Sequence, residues 1–235
     1  MIHIITGTYS GIGYALANFY LNKGDRVIGI SRHNKINHEK FSFVECDLSD
    51  KQQLHNLDLH QFAEKENLPV RLINNAGIIG DIKRASELTL THYADMSMLN
   101  IVAPQFLSSL VLQTFGFSNV DTIVNITSGA GERSVPSWGA YCASKAAINL
   151  FAETLMEEIK ELGHKTRVFN IAPGVVDTNM QKNIRNSDED NFSSYDSFVA
   201  LKENGELRSP EEVAVLFDQF LEEDHSEEEG IIHRI

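Results

Sequence analysis

The chain has 235 residues, 42% of them hydrophobic and 23% charged, which suits one soluble globular domain with a substantial core. A formal net charge of −13, gathered partly in late runs such as "SDED" and "EEDHSEEEG", opposes a nucleic-acid backbone. No run of about 18 apolar residues offers a membrane span, and the start lacks the basic and long apolar regions of a signal peptide. Two cysteines, Cys46 and Cys142, point to a reducing cytoplasm and no disulfide framework, and nine histidines without ligand spacing predict no metal.

In chain order, "HIIT" reads as a short buried strand, followed by the glycine-rich "TGTYSGIG" and a helix beginning "YALANFYLNKG". "RVIGIS", "FSFVEC", "VRLINNAG", "DTIVNITS" and "TRVFNIAPG" repeat the strand pattern, with helical stretches between most of them, and "GIIHRI" offers an edge strand. Strand alternating with helix predicts an α/β fold, a doubly wound parallel sheet with helices on both faces in a single domain, 1–235. Two helices are long. "LTHYADMSMLNIVAPQFLSSLVLQTF" carries Pro104 inside it. The second starts near Pro136 and Ser137, stops at Gly163, and lines up Tyr141, Lys145, Ile148, Ala152, Leu155 and Ile159 on one stripe. Within that stripe alone, Tyr141 reads equally as a core residue and Lys145 as a snorkelling one.

Glycines at 7, 11 and 13, with Ser10 and Ile12 between them, let the backbone approach a ligand in front of a helix N-terminus. A pyrophosphate suits that place, although the Gly-x-x-x-Gly-x-Gly spacing differs by one residue from the common dinucleotide fingerprint. The second strand ends in Ser31 and Arg32 with no acid, so a 2′-phosphate is favoured over a free 2′-hydroxyl and NADP(H) is the expected cofactor. Asp47, followed by Leu48, stands at the next strand end, where it could accept from an adenine amino group or cap a helix. Ser128 ends the strand "DTIVNITS" thirteen residues before Tyr141, at the sheet edge where ligands bind. A neighbouring ammonium would lower the phenol from its usual pKa of about 10 toward operating pH. Pro104 has no N–H for the carbonyl of Asn100, which predicts a kink able to hold a water on a path toward Lys145.

Together, "TGTYSGIG", "NNAG", Asn100, Ser128, "YCASK" and "APGVVDT" resemble the classical short-chain dehydrogenase/reductase family in order and spacing over nearly the whole chain. The resemblance implies a Rossmann-type sheet of about seven strands and hydride transfer between a nicotinamide and a carbonyl or alcohol. It implies Tyr141 as acid/base, Lys145 on the nicotinamide ribose, Ser128 orienting the substrate, and Asn100 anchoring a relay water. Asn75, Ala76 and Gly77 would line the adenine-side floor, while Pro173, Gly174, Val176 and Thr178 would cover the nicotinamide. Within the family, "NITSGAG", "SWGAYC", "PGVVDTNMQ" and "LRSPEEVA" are similar to the sepiapterin reductase and benzil reductase branch, which reduces vicinal dicarbonyls. Pterin-reducing members carry a C-terminal acid where this chain has His233, so an aromatic α-diketone is the expected substrate and a pterin the alternative. An NAD-linked alcohol dehydrogenase and a non-catalytic dinucleotide sensor are the other readings; Ser31-Arg32 argues against the first and the intact Tyr141 and Lys145 against the second. The polar segment 180–209, with Phe192, Tyr195 and Phe198, reads as a lid or as a core-anchored loop, and Trp138 and Met180 are candidate substrate contacts. Apolar outer stripes on the long helices predict a helix-paired homodimer, or a tetramer.

Overall fold

The computed structural model describes residues 1–63, 68–223, 225 and 232–235. Most of the acidic run "EEDHSEEEG" and the first two residues of "GIIHRI" therefore lie outside the described residues. The elements run β1 (Ile2–Thr6), α1 (Gly11–Asn22), β2 (Arg26–Ser31), β3 (Phe41–Glu45), α2 (Lys51–His55), α3 (His60–Ala63) and β4 (Val70–Asn74). They continue with α4 (Leu90–Ser97), a π-turn (Met98–Val102), α5 (Ala103–Phe115), β5 (Val120–Ile126), α6 (Gly139–Glu161) and β6 (Arg167–Ala172). The chain finishes with α7 (Asn179–Arg185), α8 (Tyr195–Glu203), α9 (Pro210–Glu222) and β7 (Ile232–Arg234). The seven strands form one parallel sheet in the order β3-β2-β1-β4-β5-β6-β7. The order reverses between β1 and β4, which opens a crevice at the carboxyl ends of those strands.

Apolar runs buried on both faces explain the parallel sheet: every residue of β1 and β4 is buried. On one face Leu107 and Val111 of α5 and Ala152, Leu155 and Ile159 of α6 pack with Ile4, Leu72 and Ile123. On the other face Leu16 and Tyr20 of α1 and Phe217 and Leu221 of α9 pack with Ile5, Ile73 and Val124. A smaller third cluster, centred on Trp138, Tyr141, Ile184 and Phe192, lies beyond the carboxyl edge. The stripe expected on α6 is buried as a whole, and Gly163 ends the helix with φ +73° while His164 N–H returns to the carbonyl of Ile159 at 3.0 Å.

Two expectations are corrected. Leu90–Phe115 is one continuous helical run, and by length and apolarity alone it could cross a membrane, contrary to the sequence reading. Its Met96, Asn100, Ala103, Leu107, Val111 and Phe115 are buried, which makes it a core helix. The break at Pro104 is absorbed by widening the helix: Ala103 N–H reaches back five residues to the carbonyl of Met98, and Pro104 then falls in the first turn of α5, where no N–H is needed.

A buried amide ladder that strand-by-strand reading does not reveal crosses the sheet beneath the crevice. Asn74 donates to Asn125 Oδ1 and Asn125 donates to Asn170 Oδ1, both at 3.0 Å, across three neighbouring strands in register. Asn170 continues to the carbonyl of Asn149 on α6 at 3.3 Å. Each amide would cost free energy if buried alone, so the ladder fixes the register of the strands and the seat of α6 together.

Candidate active site

The turn between β1 and α1 is the candidate phosphate end. Gly7 and Gly11 have φ of +74° and +57°, which L side chains rarely adopt, and a Cβ on Gly13 would lie 2.4 Å from Asn75 Nδ2. Asn75 is held there because its own side chain donates to the carbonyl of Thr6 at 2.8 Å and its N–H to Thr6 Oγ1 at 2.9 Å. Ala76 N–H shares that hydroxyl at 2.9 Å. Ser10, the N-cap, makes no side-chain cap and no acid lies in the first turn of α1. The first-turn N–H groups, backed by the helix dipole, therefore face the crevice with no protein acceptor from the cap. Across it stands Thr178, the N-cap of α7, whose Cγ2 would be 3.2 Å from a Cβ on Gly11. Pro173, Gly174 (φ +75°) and buried Val176 carry the chain there, while Ile12 packs into the core behind the turn. These features fit a dinucleotide pyrophosphate: a glycine-only cradle, an uncapped helix and a facing wall.

At the ribose end the structure divides the expected residues. Arg32 is 70% exposed, with NH1 3.9 Å from Asp47 Oδ2. Ser31 is turned inward, donating to the carbonyl of His33 at 2.8 Å and meeting Thr8 Oγ1 at 3.3 Å, so its proton is already committed. Asp47 Oδ1 accepts from Ser49 N–H at 2.9 Å and Ser49 Oγ at 2.6 Å, and the cap of α2 is Asp50 instead. The Leu48 side chain is part of the core.

The catalytic candidates converge on the carboxyl edge. Tyr141 and Lys145 sit one turn apart on α6, each 7% exposed, with Lys145 Nζ 5.7 Å from the centre of the Tyr141 ring. Lys145 Nζ donates to the carbonyl of Ile126 at the end of β5, at 2.7 Å. Burial lowers its pKa to about 8. Burial also pushes Tyr141 up to about 12, against the opposing pull of a hydrogen bond with Ser128. At the phenol, desolvation outweighs that hydrogen bond, while the Lys145 ammonium is directed to a backbone carbonyl. Ser128, just past β5, accepts from Ala130 N–H at 3.1 Å, which fixes its hydroxyl at the strand end.

Asn100, in the π-turn, closes the back of the site. Its amide accepts from Ile78 N–H at 3.0 Å, donates to Ile78 O at 2.8 Å, and donates to Ser144 Oγ at 3.2 Å. Ser144 in turn donates to the carbonyl of Tyr141 on the same helix at 2.8 Å, and its link to Asn100 is one that the sequence reading missed because it joins distant helices. Gly77 fits beside them: a Cβ there would lie 3.3 Å from Asn100 Oδ1 and 3.8 Å from Lys145 Nζ. On the outer side, a cleft of about 400 Å³ lies between α4 and the start of α6, lined by Tyr93, Ile101, Val135 and Ser144 among others.

Segment 180–209 carries most of α7 and all of α8, and Phe192 is buried while Tyr195 and Phe198 are partly buried against the same cluster. Phe192 is 1% exposed and stacks on Trp138 with centroids 5.3 Å apart, while Trp138 meets the Tyr141 ring edge-on at 5.7 Å. Phe198 completes the cluster, and Met180 packs at its margin. Ser137, a non-glycine residue at φ +70°, donates to the carbonyl of Asn191 and ties this segment to the start of α6. Trp138 Nε1 is buried without a partner among the described residues.

Fold and site together define a Rossmann-type oxidoreductase. The profile of the family described as short chain dehydrogenase matches residues 1–189. The chain belongs to the short-chain dehydrogenase family. It is 36% identical to a benzil reductase ((S)-benzoin forming) of Bacillus cereus, with 93% of each chain covered. The corresponding protein of Bacillus subtilis (strain 168) is 37% identical, covering 91% of this chain and 90% of that one. Among solved structures, 4-hydroxyisoleucine dehydrogenase complexed with NADH superposes with a TM-score of 0.82 at 26% identity, covering 100% of this chain and 96% of the other.

Proposed function

We propose that the protein is an NADPH-dependent carbonyl reductase acting on aromatic vicinal diketones, with Tyr141 as the proton donor. The observation that carries this reading is the meeting of Tyr141, Ser128 and Lys145 at the carboxyl edge, beside an uncapped helix and its glycine turn. A phenol held at about 12 is fully protonated at neutral pH, the state a donor to a ketone needs. When bound, the reduced nicotinamide supplies the hydride to the carbonyl carbon. Ser128 donates a hydrogen bond to the carbonyl oxygen and holds it in reach as negative charge grows there. Tyr141 then gives its proton to that oxygen, so the carbonyl becomes an alcohol and the phenol a phenolate. Lys145, one turn away and kept dry, stabilises that phenolate. Asn100 anchors a water through which the phenolate regains its proton. Trp138 and Met180 form an apolar wall suited to an aromatic substrate.

The similarity to two benzil reductases supports the diketone, and the absence of an acid at the end of β2 supports NADPH. Leu150 (65% exposed) on α6 and Val102 (41% exposed) beside α5 leave apolar outer faces that suit a helix-paired homodimer. Cys46 and Cys142 are both free, which suits a reducing cytoplasm.

Oxidation of NADPH followed at 340 nm, with benzil, a small aliphatic diketone and sepiapterin, each repeated with NADH, tests the reading. Rapid turnover of benzil with NADPH is the expected result. Tyr141→Phe should abolish reduction yet bind NADPH nearly as well as wild type; retained turnover in that variant would refute the proton-donor role. Sepiapterin turnover without benzil turnover would move the substrate to pterins.

A further inference from the structure

We infer that Lys35, which lies outside both the glycine turn and the Ser31-Arg32 pair, is a specificity-determining residue that grips the 2′-phosphate of the dinucleotide from a mount of two tyrosine rings. The inference rests on the NADPH reading above and deepens it. Lys35 Nζ lies 3.9 Å from the centre of the Tyr14 ring and 5.5 Å from that of Tyr9. Tyr14 belongs to the first turn of α1, and Tyr9 to the glycine turn itself. The loop after β2 is pinned so that its cation is directed there. Asn34 Oδ1 accepts from Ile36 N–H at 2.8 Å, and Asn34 Nδ2 donates to Ile36 O at 3.1 Å. Ile36, 7% exposed, anchors the loop in the core behind α1. His33 meets Tyr9 edge-on at 5.6 Å, so the loop touches the turn at a second point beyond Ser31.

Charge accounting favours Lys35. Ser31 already donates its hydroxyl hydrogen bond to the carbonyl of His33. Arg32 already faces Asp47 at 3.9 Å, which offsets part of its charge. Lys35 makes no ion pair among the described residues, in a chain whose net charge is −13. An ammonium held over aromatic faces keeps three N–H donors for an anion and has lost part of the side-chain freedom that binding would otherwise cost. Lys35 would then add a point charge to the planar fork that the exposed Arg32 offers a phosphate.

Binding of 2′,5′-ADP and of 5′-AMP to the whole protein, measured by titration calorimetry, reads this subsite without turnover. Wild type should prefer 2′,5′-ADP, and Lys35→Ala should weaken 2′,5′-ADP about tenfold while leaving 5′-AMP within about twofold. Tyr14→Leu should lose part of the same preference by releasing the ammonium, whereas Tyr14→Phe, which keeps the ring, should retain it. Equal weakening of both nucleotides by Lys35→Ala, or no weakening, overturns the assignment to Lys35 while the NADPH reading stands on the wild-type preference. A wild type that binds both nucleotides equally overturns the NADPH reading and the Lys35 inference with it.

Discussion

Tyr141 and Lys145 share one helical turn, yet burial drives their pKa values apart, the phenol up to about 12 and the ammonium down to about 8. In the free protein Lys145 is therefore charged below pH 8 and loses its proton above it, while Tyr141 stays neutral throughout. The value of kcat/KM for ketone reduction should be level below about pH 8 and fall about tenfold per unit above it. A basic limb that begins only above pH 10 would assign the titration to Tyr141 instead. Arg32→Ala should raise the KM for NADPH far more than that for NADH, since the guanidinium is exposed and its contact with Asp47, at 3.9 Å, leaves donors for a phosphate. Equal effects on both cofactors would remove Arg32 from the phosphate site. At this scale the sequence was highly legible for "YCASK" and "TGTYSGIG", where spacing along one helix or one turn sets the geometry. It was not legible for Ser31, whose hydroxyl looks available until the backbone of His33 is seen to claim it. Nor was it for Ser144, which reaches Asn100 from another helix.

Whole elements show a similar division. Seven strands and both long helices follow from local pattern, because a buried parallel strand and a 3.6-residue stripe each leave a signature in adjacent residues. The π-turn left a trace at Pro104, but its form depends on Asn100 being drawn to Ile78 and Ser144, contacts 22 and 44 residues away in sequence. Segment 180–209 was ambiguous because three aromatics in a polar stretch can line a ligand or anchor a loop. Burial of Phe192 against Trp138 favours the anchor. Phe192→Ala should cost about 3 kcal/mol of stability by leaving a cavity. The same change should affect function. Trp138 loses the face on which it stacks, the edge-on contact with Tyr141 loosens, and kcat should fall more than KM rises. Trp138 is the only tryptophan of the chain, so its emission should shift to the red in the same variant. Unchanged emission and unchanged kcat would mean that the segment does not bear on the catalytic helix.

For the molecule as a whole, the amino ends of the strands hold a second polar assembly, on the side of the sheet away from the site. His3 on β1 is 1% exposed, stacks on Tyr20 with centroids 3.6 Å apart, and meets Asp25 at 3.1 Å. Asp25 also accepts from the terminal ammonium of Met1 at 2.8 Å. Arg71, paired in register with His3, lies 3.5 Å from Asp121, which Arg167 also reaches at 3.0 Å. Burial first, and then the charge of Arg71, lower His3 to about 3 from an ordinary 6.5, outweighing the pull of Asp25. The unfolded chain takes up this proton near pH 6.5, while the folded protein refuses it until about pH 3. Stability contributed by neutral His3 is therefore complete above pH 6.5 and declines as the pH falls through that window, by up to about 1.4 kcal/mol per unit. Asp25 and Asp121, both held below the ordinary carboxylate range, add their own losses only lower, where an unfolded aspartate begins to protonate. Between pH 6.5 and 5 the slope thus belongs to His3 alone among the shifted groups. His3→Phe keeps a ring on Tyr20 but has no proton to gain, so urea unfolding should give nearly constant free energies over that interval, against a falling series for wild type. Parallel slopes in the two proteins would show that His3 protonates in the folded state as readily as in the unfolded one.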